Sequence, residues 1–128
     1  MLALATVTLV VPDCDVAIAF YARKLGFALV EDTDLGDGKR WVVVAPDQGA
    51  RLLLTKPAND AQRAAIGNQA GGRVAFFLQT DNFTDCYNRF MAAGVTFLEE
   101  PRSEPYGTVA VFSDPFGNRW DLIEPKEG

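Results

Sequence analysis

Residues 114–118 read DPFGN and lie between two strand-like runs, TVAVFS (108–113) and RWDLIEP (119–125). Pro115 fixes φ, while Gly117 and Asn118 tolerate positive φ, so the five residues are strong turn chemistry. By itself such a turn suits any β-hairpin. Four residues after Gly117, however, stands Asp121, a carboxylate inside the final strand. Whether DPFGN is only a turn or the hairpin of a site built on Asp121 depends on the rest of the chain.

Working back from that hairpin, one succession of elements occurs twice. In the first half LATVTLVVP (4–12) reads as a strand, and Asp13 or Asp15 caps a helix over VAIAFYARKL (16–25). Helical spacing puts Val16, Ala17, Phe20, Tyr21 and Leu25 on one apolar stripe, and Gly26 stops the helix. FALVEDTD (27–34), RWVVVAP (40–46) and ARLLLTK (50–56) then read as strands. PANDAQRAAIGNQAGG (57–72) is an Ala/Asn/Gly-rich linker with room for a short helix. The second half repeats the plan. RVAFFLQT (73–80) is a strand, and DNFTDCYNRFMAAG (81–94) is a helix burying Phe83, Tyr87, Phe90 and Met91. VTFLEE, GTVAVFS and NRWDLIE are strands, and PRSEPYGTVA (101–110) reads as a loop. A constant offset of 68 matches Asp13 with Asp81, Gly26 with Gly94, and Glu31 with Glu99. The pattern argues for a duplicated βαβββ module, about 1–56 and 73–125, in a single domain spanning 1–128. Strands come in runs of three, which excludes a doubly wound α/β sheet. The expected fold is α+β, with the two modules pairing into an open, curved, eight-stranded, barrel-like sheet.

Composition bounds the chemistry. The chain has 128 residues, a net charge of −5 and 48% apolar residues. No basic run exceeds Lys39-Arg40, so nucleic acid is not an expected partner. No apolar run is long enough to span a bilayer, and MLALATVTLVVPD reads as a first strand rather than a signal peptide. No membrane partner and a cytoplasmic location are therefore expected. Cys14 and Cys86, 72 residues apart, are expected to be reduced, half-buried thiols. The acidic run EDTDLGD (31–37) reads as a solvated turn. There is no histidine, which removes the commonest neutral metal ligand and every Ser-His or Cys-His nucleophile system.

VTLVVPDCDVAIAFYARKLGF (7–27) and DPFGNRWDLIE (114–124), about 90 residues apart around a second β-α unit, resemble the vicinal oxygen chelate superfamily. That family includes glyoxalase I, bleomycin- and fosfomycin-resistance proteins and extradiol dioxygenases. The resemblance covers roughly residues 4–124. It implies a divalent metal held by one His, Gln or Glu on each of four strands. The corresponding positions here are Thr6, Leu53, Arg73 (or Val74 after a one-residue shift) and Asp121. Thr6 is a weak donor and neither Leu53 nor Arg73 can serve, whereas catalytic zinc takes about three protein ligands. No metal and no other cofactor is therefore expected, and metal-dependent glyoxalase or dioxygenase activity is disfavoured.

The residues offer other uses for such a pocket. Arg73 and Asp121 either neutralise each other as an internal ion pair or divide a ligand's acidic and donor groups between them. A salt bridge to Arg73 would also hold the Asp121 proton affinity down. Asp121 is the one candidate for a catalytic role. Strand alternation places Thr6, Thr8, Leu53, Trp41 and Phe77 on inward faces, with Trp120 under a helix. By resemblance, the loop at 101–110 closes over the pocket mouth, which brings Arg102 and Tyr106 to the ligand. The expected function is metal-independent binding or sequestration of a small organic molecule, antibiotic- or metabolite-like, and the resemblance implies a homodimer. The alternative is a lyase, isomerase or dioxygenase-like enzyme acting on a small carbonyl or aromatic substrate. A third class is a protein-interaction module with a vestigial pocket.

Overall fold

The computed structural model describes residues 1–126. The chain divides into two compact units, Met1–Gly67 and Asn68–Gly128, with the boundary inside the 57–72 linker. In the first unit β1 (Thr6–Val10) leads into α1 (Cys14–Ile18), which continues through Ala19–Lys24 as π-helical turns. β2 (Ala28–Gly36), β3 (Lys39–Ala45), β4 (Arg51–Thr55) and the short α2 (Asp60–Ala64) follow. The second unit contains β5 (Val74–Gln79), α3 (Phe83–Ala92), β6 (Thr96–Phe97), β7 (Arg102–Glu104), β8 (Gly107–Ser113) and β9 (Arg119–Pro125).

The fold class is the α+β arrangement expected. The first sheet runs β1-β4-β3-β2 and the second β5-β9-β8-β6, with β7 added on β8. In each, the strand before the helix pairs in parallel with the last strand, and the others are antiparallel. The duplication is close in register. Strands of the first unit begin at Thr6, Ala28, Lys39 and Arg51, and their counterparts at Val74, Thr96, Gly107 and Arg119, each 68 positions later.

The elements follow from local chemistry. Asp13 caps α1, its Oδ1 accepting from the N–H groups of Asp15 at 2.8 Å and Val16 at 3.1 Å. The capping residue of α3 is Asn82, not Asp81, and Glu124 Oε1 accepts from the Phe83 N–H at 2.7 Å. Leu9, Leu54, Val42 and Val44 are fully buried with Ala17 and Tyr21, filling the helix side of the first sheet. Each large side chain so buried contributes about 1.5–3 kcal/mol. On the second sheet Phe90 of α3 meets Phe112, which stacks on Trp120, and Phe76 lies 4.4 Å from Trp120. Two stripe residues turn outward instead: Val16 is 44% exposed and Met91 50% exposed. Ile18 and Cys86 occupy buried positions, since the stripe follows the sheet surface rather than the apolar residues alone. Both thiols are free and buried rather than half-buried, and burial pushes their proton affinity up, away from reactivity.

Three expected loops or strands differ. The acidic run 31–37 is mostly β2, an exposed edge strand whose Asp32 pairs with Arg40 at 2.9 Å. VTFLEE shortens to Thr96–Phe97, because Glu99 turns its side chain to the ladder and Oε2 accepts the Val111 N–H at 3.0 Å. The loop at 101–110 is a β7–β8 hairpin, with Arg102 opposite Val109 and Glu104 opposite Gly107. This ninth strand makes the sheets four- and five-stranded rather than eight strands in all.

DPFGN is held by its own aspartate. Asp114 is buried, and its Oδ1 accepts from the Phe116 N–H at 2.9 Å and the Asn118 N–H at 2.8 Å. Oδ2 accepts from Asn118 Nδ2 at 2.8 Å, and the Asp114 N–H donates to the Asn118 carbonyl at 2.9 Å. Gly117 supplies the positive φ, 103°. Replacing Asp114 by Ala strands these donors, and urea denaturation of Asp114→Ala should show a loss of about 3–5 kcal/mol. A loss below about 1 kcal/mol would mean that the loop closes without the carboxylate. Gly107 carries a different constraint, since a Cβ there would lie 2.4 Å from the Glu124 carbonyl oxygen on β9. Gly107→Ala should therefore cost about 1–3 kcal/mol in the same measurement.

Candidate functional site

Asp121 sits at the middle of β9, opposite Phe77 of β5 on one side and Val111 of β8 on the other. Paired residues share a face, and Trp120 packs on the α3 side, so Phe77, Asp121 and Val111 form a row on the opposite face. Within that row the contrast in exposure is large: Phe77 is 69% exposed and Asp121 only 8%. Oδ1 of Asp121 is buried and has no hydrogen-bond partner among the described residues. Burial pushes the Asp121 carboxyl above its ordinary value; the nearby Arg102 guanidinium opposes this and Glu99 adds to it.

Arg102 reaches this face from β7, opposite Val109 and two positions along β8 from Val111. Its guanidinium donates to Glu99 Oε1 at 3.0 Å and Oε2 at 3.2 Å, and to Glu104 Oε1 at 2.6 Å. These hydrogen bonds, with a lesser one donated to the Tyr106 hydroxyl oxygen, hold it more firmly protonated than a free arginine. Arg102, Tyr106, Phe77 and Asp121 all lie in the second unit. Arg73 does not join them. It precedes β5, is exposed, and forms no ion pair among the described residues, so the internal Arg73–Asp121 pair is not formed. The expected role of that pair in holding down the Asp121 proton affinity falls with it. Glu99, which sequence reasoning missed, has one signal: it is the repeat counterpart of Glu31.

In the first unit Thr8, Leu53, Val43 and Glu31 are in register across the sheet, and Trp41 lies opposite Thr33. Thr6 is exposed opposite Arg51, Leu53 half-buried, and Trp41 42% exposed. Leu53 is the repeat counterpart of Asp121 and Val43 that of Val111, 68 positions earlier. A bulge between Val74 and Phe76 shifts the next pairing by one, so Phe77 faces Asp121 where Thr8 faces Leu53. A separate cleft of about 470 Å³ at the start of α3 is lined by Gln79, Asp81, Thr108, Glu124 and Lys126. Glu124 is already engaged there by the Phe83 N–H.

A family model described as the glyoxalase/bleomycin resistance protein/dioxygenase superfamily matches residues 3–122. The chain belongs to that superfamily. A protein of Shewanella frigidimarina is 50% identical over 121 residues, covering 92% of this chain and 90% of its own. The crystal structure of UcmS2 superposes with a TM-score of 0.82 at 36% identity, covering 96% of this chain and 98% of that one. TnmS3, an antibiotic binding protein from Streptomyces sp. CB03234, superposes with a TM-score of 0.79 at 28% identity, over 98% of both chains.

The superfamily's metal does not fit the residues of this member. Of Thr6, Leu53, Arg73 and Asp121, only Asp121 is a strong donor. Among the described residues no group of three or more His, Cys, Asp or Glu side chains could hold a metal ion. No helix among them is long and apolar enough to cross a membrane.

A carboxyl with raised proton affinity in the fold destabilises that fold once ionised. The cost is absent below the unfolded value near pH 3.9 and grows as pH rises through the folded value. Asp121→Asn should therefore gain thermal stability relative to the parent protein at pH 7, with the gap narrowing toward about pH 3.5. Melting curves across that range check it, and a gap that is constant or widens in acid contradicts it.

Proposed function

We propose that this superfamily member binds and sequesters a small organic molecule, antibiotic- or metabolite-like, without a metal. The observation that carries the reading is the row on the face of the second sheet opposite α3, an exposed aromatic ring, Phe77, beside a buried carboxylate with an unpartnered oxygen. A buried acceptor without a partner costs about 1–3 kcal/mol, which a ligand donor would recover. The likeness to an antibiotic binding protein supports the same reading. Asp121, Phe77, Arg102 and Tyr106 are assigned to the ligand in the second unit. Thr6, Thr8, Leu53 and Trp41 are candidates on the first sheet, and Arg73 is a peripheral one. We further propose that the protein works in the cytoplasm as a homodimer.

The unpartnered Asp121 oxygen also favours a second reading, a metal-independent lyase or isomerase with Asp121 as general base. The two readings differ in what happens to the ligand. A thermal-shift panel of aromatic antibiotics, bleomycin included, should yield at least one compound that raises Tm by roughly 5 °C or more at saturation. Phe77→Ala should abolish that shift, and mass spectrometry should recover the compound unchanged. A product in its place would establish the enzyme reading. Stoichiometric zinc, nickel, manganese or iron surviving dialysis of fresh protein would overturn metal independence.

A further inference from the structure

The ligand-binding reading leaves open which chemical class the Asp121 face selects, and the ion pairs around it decide this. The Arg102 charge acts on Asp121, and an arginine in such a place would ordinarily invite a carboxylate or phosphate. Here it is already engaged. Its Nε and Nη2 both point to Glu99, and Nη1 points to Glu104. Glu99 is pinned in turn, because Oε2 also accepts the Val111 N–H on the strand beside Asp121. Turning Arg102 toward an anionic ligand would leave the Glu99 and Glu104 carboxylates without their cation. Glu99, Glu104 and Asp121 set three carboxylates against one guanidinium, so the cluster is net negative.

The free group is Asp121 Oδ1, which is buried and without a partner among the described residues. An ionised carboxylate only accepts hydrogen bonds. Beside it Phe77 offers an exposed ring, and a ring face attracts flat apolar surface and cations but not anions. We infer that the ligand presents a hydrogen-bond donor, an ammonium or phenolic hydroxyl on a flat aromatic frame, to Asp121 beside Phe77, and that anionic ligands are rejected. This rests on the ligand-binding reading and narrows it.

Three probes sharing one ring test it at neutral pH by calorimetry: 2-naphthylmethylammonium, 2-naphthol and 2-naphthoate. The two donors should bind at least about tenfold more tightly than naphthoate. Phe77→Ala, at an exposed position, should weaken all three, and Asp121→Asn should remove the preference for the ammonium. The double variant Glu99→Gln/Glu104→Gln frees Arg102, while the amide oxygen introduced at position 99 can still accept the Val111 N–H. It should raise naphthoate affinity about threefold or more. Phe77-dependent binding of naphthoate at or above the affinity of the donors would overturn the inference and leave the ligand-binding reading intact. Absence of Phe77-dependent binding by all three would overturn that reading as well.

Discussion

The second unit depends on one buried carboxylate, that of Asp114. Its two oxygens collect three hydrogen bonds within five residues, and the backbone of Asp114 closes the loop onto Asn118. A charge-assisted set of this kind holds a turn that would otherwise be free to change length. Turn length sets register, and a slip of one residue would exchange the two faces of β9. Trp120 would then leave the aromatic stack under α3, and Asp121 would enter the hydrophobic core. The turn therefore decides where the acid stands as well as where the strand begins.

Asp121 illustrates how a duplicated module diverges. Both units keep the same strand order and the same starting positions 68 residues apart, so backbone demands on the two are alike. At equivalent points on the last strand one unit carries Leu53 and the other Asp121. The leucine lies between Thr8 and Val43 and asks nothing of its surroundings. The aspartate needs either a partner or a ligand, and Arg102, Glu99 and the bulge in β5 are the differences that surround it. The bulge matters because it brings Phe77, rather than Phe76, beside the acid and leaves Phe76 to pack on Trp120.

Much of the fold was legible because it rests on local signals. The cap at Asp13, glycine stops at 26 and 94, β-branched runs and the repeat offset all act over a few residues or as a simple period. What failed did so for tertiary reasons. Val16 and Met91 have the helical spacing of core residues, but the packed sheet does not cover them. The segment 101–110 has the prolines of a loop, yet Arg102–Glu104 finds an unpaired edge on β8 and becomes a strand.

The candidate site divides along the same line. Residue types, with DPFGN and the first helix segment read together, point to the superfamily, the place of Asp121 on the last strand and the shortage of metal donors. They do not say which cation attends the acid, and that choice belongs to the folded chain. Arg73 stands exposed just ahead of β5, whereas Arg102 is brought toward the row by pairing with Val109. The fold also commits this guanidinium to Glu99 and Glu104. Electrostatic partnership depends on distance in space, and strand pairing sets that distance.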